Sequence, residues 1–124
     1  MRTVADLLVG ELRAVDVVAR LGGEEFGVLL PGSDQLDATA VAERLRMVIA
    51  RCPVVHAGTT LLVTASIGVV SYPQHAQTRD HLLERADRAL YQAKRTGRDR
   101  VCGQPCTSTT DAPDQEGHVG LRNP

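Results

Sequence analysis

The feature that most constrains this chain is a Gly-Gly step between two strand-like apolar runs, residues 15–21 and 26–30. Because glycine adopts positive φ without steric cost, Gly22-Gly23 predicts the turn of a β-hairpin. From Phe26 onward the apolar residues alternate with period two, which favours a strand with one apolar face. The sequence therefore predicts a hairpin as the first fixed point of the fold.

Two adjacent carboxylates follow the glycines. Glu24 is expected on the turn, and Glu25 on the strand face opposite Phe26, Val28 and Leu30. A tight glycine turn lets an anionic ligand approach backbone N–H groups, and a carboxylate beside it can hold a hard cation such as Mg²⁺. This combination indicates a site for a nucleoside triphosphate carried with its metal. The alternative is an ordinary exposed hairpin with solvated acids.

Size and composition exclude several classes of protein. The 124 residues allow one domain, with 43% apolar residues, 2% aromatic residues, no Trp and a net charge of −1. These values argue against a nucleic-acid-binding surface. No apolar run reaches the ~20 residues that span a bilayer, and Asp6 and Glu11 interrupt any signal-peptide core. Three cysteines without C-x-x-C spacing fit a reduced, cytoplasmic protein.

Helices and strands alternate along the chain. Apolar periodicity predicts helices at 3–14 and 35–51, a third helix that starts at Thr78 or Asp80 and has Gly97 as its C′ glycine, and strands at 61–71 and 99–102. With the hairpin, this order predicts an α/β (α+β) fold in residues 1–102. A ferredoxin-like sandwich would need one more strand before the first helix. Residues 103–124 lack periodicity and are expected to form a disordered tail.

Several motifs together resemble the GGDEF family, the diguanylate cyclases of bacteria. Gly22-Gly23-Glu24-Glu25-Phe26 is similar to the family signature. Segments 12–21, 64–69 and 86–99 resemble the approach to that signature, a later strand, and the last helix with its exit. The resemblance covers about residues 4–101 in the right order and spacing.

The resemblance implies a palm-type fold, related to the ferredoxin-like sandwich and to nucleotide cyclase catalytic domains. In the family, two GTP molecules on two facing domains are joined into cyclic di-GMP, a bacterial second messenger. Each 3′-hydroxyl attacks the α-phosphate of the opposite GTP, and pyrophosphate leaves. The resemblance therefore implies a homodimer and two Mg²⁺ ions per active site, which neutralise the developing phosphoryl charge.

The resemblance also implies the residues of the active site. Gly22 and Gly23 would let the ribose and phosphates of GTP approach. Glu24 would be a catalytic residue and a Mg²⁺ ligand, and Glu25 would support charge placement beside it. Lys94 and Arg98 resemble the pair that holds the terminal phosphates. Being four residues apart, they are expected on one face of the helix end, although cations are also favoured at any helix C-terminus.

A second site is implied by an R-x-x-D motif. Arg13 and Asp16 resemble the product-inhibition site of the family, which binds cyclic di-GMP, and Arg44 is the candidate that completes it. The alternative is a surface ion pair of spacing i, i+3, worth under ~0.5 kcal/mol.

One part of the family pattern has no counterpart here. The first strand of the family supplies a second metal-binding Asp, the next segment supplies guanine-reading residues, and Met1 falls just after that region. That strand lies between the hairpin and the strand expected at 61–71, so we expect their facing edges to be unpaired. The resemblance thus implies an N-terminally truncated domain with weak or no cyclase activity. A cyclic di-GMP sensor acting through Arg13 and Asp16, or an inactive remnant, are the alternatives.

Overall fold

The computed structural model describes residues 3–22, 25–72, 76–103 and, as backbone, 116–122. The elements in chain order are α1 (Val4–Glu11), β1 (Val17–Gly22), β2 (Glu25–Pro31), α2 (Gln35–Arg51), β3 (Val54–His56), β4 (Thr59–Leu61), β5 (Ser66–Tyr72), α3 (Arg79–Arg95), β6 (Arg100–Gly103) and β7 (Glu116–Arg122). The predicted order is confirmed, with two additions: the β3–β4 hairpin and β7.

Five strands form the main sheet, in the order β1-β2-β7-β5-β6, while β3 and β4 form a separate two-stranded sheet. β7 is antiparallel to both of its neighbours, and β6 is parallel to β5. The register defines two ends of the main sheet. At the turn end, paired residues run across four strands as Glu25, Arg122, Ser66 and Arg100. At the Pro31 end, Pro31 and Tyr72 both pair with the first residue of β7.

The tail expectation is wrong for the residues that form β7. Glu116–Arg122 is a seven-residue strand between β2 and β5, so the edges expected to be unpaired are paired along their length. The physical reason is that buried backbone N–H and C=O groups are costly without partners, and β7 supplies partners to both strands. Residues 104–115 lie outside the described residues.

The hairpin is confirmed, and its apolar face is buried. Phe26, Val28 and Leu30 are at most 8% exposed and pack with residues of α1 and α2 in the main core. β1 lies at the edge of the sheet and is mostly exposed. The alternation read from the sequence therefore places β2 correctly against the core.

The strand expected at 61–71 is divided in the structure. Leu61 ends β4, and β5 begins only at Ser66. Ile67 and Val69 face the α1 and α2 side of the sheet and are fully buried. The other face of β5 carries α3, so closely that a Cβ at Gly68 would lie 2.4 Å from the backbone nitrogen of Leu90. Because Gly68 has no side chain, the backbone of α3 packs directly against this face of β5 and leaves no room there for a ligand.

The helix boundaries follow their capping signals. α2 has the bounds predicted from periodicity, and its N-cap Asp34 accepts a hydrogen bond of 2.8 Å from the Asp37 N–H. α1 is shorter than predicted and ends at Glu11, and α3 begins after its N-cap Thr78.

Within the described residues, no helix has the length and apolar character to cross a bilayer. Cys52 is a free thiol, as is Cys102.

Candidate functional site

The signature turn lies where β1 and β2 meet. β1 and β2 form the predicted hairpin, but Gly22 ends β1 and pairs with Glu25, the first residue of β2, so the connection begins one residue later than the Gly22-Gly23 step. Gly23 and Glu24, which form that connection, lie outside the described residues. Gly22 is exposed, and a Cβ there would meet nothing within 4 Å. Its φ is not among the positive values, so the backbone freedom expected of the step is not used at Gly22.

Glu25 is half-buried on the face of β2 opposite Phe26. Glu25 pairs with Gly22 of β1 on one side and with Arg122 of β7 on the other. The turn end therefore places a glutamate of the signature beside an arginine position of the central strand.

The described residues do not assemble a magnesium site. Among them, no group of three or more His, Cys, Asp or Glu side chains lies close enough to hold a metal ion. Glu24, the ligand implied by the resemblance, is outside this set. The residues that can be described do not by themselves fit Mg²⁺, and we derive no step through the ion.

Lys94 and Arg98 do not share a helical face, so that prediction is wrong. Lys94 lies in the last turn of α3, but the helix ends at Arg95 and the backbone turns away at Gly97, whose φ is +133°. Arg98 follows in the left-handed region, with φ of +60°, and its N–H bonds the Ala93 carbonyl at 2.9 Å. This is the glycine-terminated helix end that Gly97 predicted.

The register nevertheless brings this helix end to the turn end of the sheet. Arg98 is two residues before Arg100, which begins β6 in the same row as Glu25. Three strand spacings of about 4.8 Å put β6 about 14 Å from β2. The signature turn and the candidate phosphate-binding residues, 70 positions apart in sequence, thus occupy one end of one sheet.

The R-x-x-D motif lies at the Pro31 end, in the loop between α1 and β1. Arg13 donates from NH2 to Asp16 Oδ1 at 2.9 Å, and its backbone N–H donates to Asp16 Oδ2 at 2.7 Å. The same NH2 group donates to the Pro31 carbonyl at 2.8 Å, which fastens the loop to the end of β2. The Asp16 side chain is 3% exposed, whereas that of Arg13 is 57% exposed. The motif is therefore more than a solvated surface pair.

The hydrogen bonds and positive charges around Asp16 favour its ionised form more than burial disfavours it. Burial favours the neutral carboxyl, but hydrogen bonds from the Arg13 side chain and backbone, together with the charges of Arg13 and Arg44, lower the pKa of Asp16 below its usual value. Arg44 projects from α2 and binds Glu11 twice, from Nε to the carboxylate at 3.3 Å and from NH2 to the carbonyl at 2.8 Å. The structure thus pairs Arg13 with Asp16 directly, whereas Arg44 contacts Glu11 and acts on Asp16 only through its charge.

Besides β7 and the β3–β4 hairpin, two features of the described residues were not predicted from the sequence. Arg46 of α2 donates from NH1 to Asp99 Oδ1 at 2.9 Å, across 53 positions, and no local pattern signals such a pair. A cavity of about 540 Å³ lies between α1, the first hairpin and the β3–β4 hairpin, and Arg20 and Phe26 are among its lining residues. The β3–β4 hairpin did carry a signal, because Ala57-Gly58 stands between two strand-like triplets.

Known proteins show the same organisation. Residues 1–100 match the model of the family described as "Diguanylate cyclase, GGDEF domain". This chain belongs to the GGDEF family. It is 42% identical over 106 residues to the response regulator PleD of Caulobacter vibrioides, which covers 84% of this chain and 23% of PleD. It is 43% identical over 101 residues to the diguanylate cyclase DgcP of Pseudomonas aeruginosa, covering 82% of this chain and 15% of DgcP.

Solved structures give the same fold. The GGDEF domain of YfiN (TpbB) from Pseudomonas aeruginosa superimposes with a TM-score of 0.67 at 35% identity, covering 81% of this chain and 63% of that domain. The diguanylate cyclase SiaD from the same organism, solved with its activator SiaC, gives a TM-score of 0.69 at 37% identity, with coverage of 82% and 38%. The fold is therefore the α+β, palm-like fold of GGDEF domains, and the chain spans about a quarter or less of the curated relatives named above.

Proposed function

We propose that this chain is the part of a diguanylate cyclase domain that carries its signature turn and its phosphate-binding helix end. The observation that carries the proposal is the row Glu25, Arg122, Ser66 and Arg100, which puts the signature turn and Arg98 at one end of the sheet. In this function GTP binds at the turn end, and two facing domains join two GTP molecules into cyclic di-GMP and pyrophosphate.

The cations at the end of α3 suit the terminal phosphates of GTP. Lys94 lies in the last helical turn, and Arg98 is exposed in the turn that follows. One guanidinium group can bind two phosphate oxygens at once, whereas an ammonium group acts as a point charge. An open space beside Gly22 supports approach of the ribose and phosphates to the signature turn.

We further propose that the 124 residues assayed alone make little or no cyclic di-GMP. The strand beside the signature carries Arg122 at the turn end, whereas its acidic residue, Glu116, pairs with Pro31 and Tyr72 at the far end. An arginine side chain contains no oxygen, so it cannot supply the second carboxylate ligand for Mg²⁺ beside the phosphates.

The test of this proposal is incubation of the purified chain with GTP and Mg²⁺, followed by chromatography of the nucleotides. We expect no more cyclic di-GMP than a Glu24→Ala variant produces. Robust product formation that Glu24→Ala abolishes would contradict the claim about the chain alone and would support the cyclase assignment.

A cyclic di-GMP sensor is the second candidate, favoured by the Arg13, Asp16 and Arg44 cluster. Asp16 holds Arg13 in place, and the side chains of Arg13 and Arg44 are both more than half exposed. A preorganised pair of arginines is well suited to a dinucleotide that carries two phosphates.

Calorimetry with cyclic di-GMP separates the sensor from an inactive remnant. We expect binding that Arg13→Ala abolishes and that Arg88→Ala leaves unchanged. Arg88 is the matched control, since it removes the same charge from an exposed pair with Glu84 on α3. Absence of binding heat for the unchanged chain would exclude the sensor and leave the remnant.

A further inference from the structure

After α3 ends, the two non-glycine residues that follow Gly97 have left-handed backbone. Arg98 has φ of +60° and Asp99 has φ of +45°. We call residues 97–99 the α3–β6 turn. Side chains with a Cβ rarely adopt positive φ, and Asp tolerates it better than Arg does. A conformation of this kind persists only where the surroundings hold it.

Arg46 of α2 supplies an anchor for this turn. Its NH1 group donates to the Asp99 carboxylate at 2.9 Å, and its Nε donates to Glu43 at 3.0 Å. The Arg46 side chain is only 20% exposed, so it is fixed on both sides of its planar fork. The anchor therefore comes from a separate helix and acts on the turn through one carboxylate.

The backbone of Arg98 is held while its side chain is not. The Arg98 N–H donates to the Ala93 carbonyl at 2.9 Å, and the Arg98 carbonyl accepts from Arg100 Nε at 3.1 Å. Within the described part of the chain, the Arg98 guanidinium forms no hydrogen bond or ion pair, and the residue is exposed. The α3–β6 turn thus has a fixed backbone at Arg98 and an exposed guanidinium group that can bind an anion.

We propose that Arg46 is a positioning residue for Arg98. Through Asp99 it holds the α3–β6 turn in the conformation that aims the Arg98 guanidinium at the terminal phosphates of the nucleotide. This role rests on the proposed function, in which Arg98 binds those phosphates. A cation that is already in place loses less conformational entropy on binding, so its contribution to affinity is larger.

Two substitutions of Asp99 separate positioning from simple electrostatics. Asp99→Asn and Asp99→Gly remove the same negative charge, and both residues tolerate positive φ. Only Asn keeps an oxygen that accepts from Arg46. We expect calorimetry of the full chain with GTP to give an affinity within about twofold of the unchanged chain for Asp99→Asn, and about tenfold weaker for Asp99→Gly. If charge alone matters, both variants bind GTP equally and more tightly, which would overturn the proposal.

Amide hydrogen exchange tests the same claim without nucleotide. We expect the Arg98 N–H to exchange about tenfold faster in Asp99→Gly and Arg46→Met, and at the original rate in Asp99→Asn. Arg88→Met, on an exposed face of α3, is the control for loss of an arginine. An unchanged Arg98 exchange rate in Arg46→Met would overturn the positioning role.

An Arg98→Ala variant distinguishes failure of this inference from failure of the proposed function. If Arg98→Ala leaves GTP affinity unchanged, or the unchanged chain does not bind GTP, the phosphate role of Arg98 is wrong and the inference falls with it. If Arg98→Ala weakens GTP binding but Asp99→Gly and Arg46→Met do not, only the positioning role is wrong.

Discussion

The two ends of the main sheet hold their arginines in opposite ways. At the Pro31 end, Arg13 donates to a nearly buried carboxylate and to the Pro31 carbonyl. At the turn end, the Arg98 backbone is held by hydrogen bonds, but its guanidinium forms none within the described residues. The first arginine closes a loop, and the second is available to an anion. About 20 Å of strand separates the two ends.

The difference indicates that stability and ligand affinity depend on different residues. A carboxylate that is buried and multiply hydrogen-bonded contributes to folding, and its loss is felt without any ligand. An exposed cation contributes little to folding and can contribute much to binding a phosphate. Substitution of Asp16 at the Pro31 end should therefore change stability, and substitution of Arg98 at the turn end should change GTP affinity.

The largest expected effect comes from the strand that joins the two ends. Val119→Pro removes a backbone donor from the centre of β7, which pairs on both sides. We expect a loss of about 3 kcal/mol or more in the free energy of unfolding, measured by urea titration. Val55→Pro in the two-stranded β3–β4 sheet is the control and should cost less. Equal unfolding midpoints for Val119→Pro and the unchanged chain would mean that β7 does not hold this position.

The next largest effect is expected at the glycine that ends α3. Gly97 has φ of +133°, and a Cβ there would lie 2.4 Å from the Arg100 guanidinium. We expect Gly97→Ala to destabilise the chain by about 1–3 kcal/mol in the same titration. The matched control is Gly10→Ala on α1, where a Cβ meets nothing and helix propensity should add up to ~1 kcal/mol. A neutral Gly97→Ala would argue against the backbone described for the α3–β6 turn.

Asp16 should make stability depend on pH at the Pro31 end. Its pKa is lowered in the folded chain, so its contribution is present above the unfolded pKa of about 3.9 and is lost as pH falls through the folded value. We expect Asp16→Asn to lower the free energy of unfolding by about 1 kcal/mol at pH 7. The difference should nearly vanish at a pH where Asp16 is protonated in both the folded and the unfolded chain. Urea titrations at pH 7, 4 and 2.5 measure this convergence. A pH-independent difference would show that the carboxylate charge is not what holds the loop.

The smallest effect on stability is expected from Arg44. Its ion pair with Glu11 joins side chains that are 53% and 33% exposed, so Arg44→Met should cost under ~0.5 kcal/mol. If the sensor candidate is right, the same variant should weaken cyclic di-GMP binding about tenfold in calorimetry. A large loss of stability would show that Arg44 is structural and not an exposed cation available to a ligand.

The sequence predicted the parts of the fold that local patterns determine. α2 has capping at Asp34 and a regular apolar face, and the hairpin has glycines between alternating runs. β7 was missed because its seven residues include two glycines and little alternation, so its strand state depends on pairing with β2 and β5.

The same distinction holds for the sites. Arg13 and Asp16 are three residues apart, and a short motif was sufficient to identify their contact. The row that brings Arg98 to the signature turn, and the ion pair of Arg46 with Asp99, depend on long-range register and packing. No spacing in the sequence could have predicted either.

We infer that GTP binds at the turn end and not at the Pro31 end. Titration of the ¹⁵N-labelled chain with GTP, followed by amide chemical shifts, tests it most directly. We expect shifts at Glu25, Ser66, Arg98 and Arg100, with Arg13 and Asp16 unmoved. Shifts confined to Arg13 and Asp16, or none at saturating GTP, would contradict it.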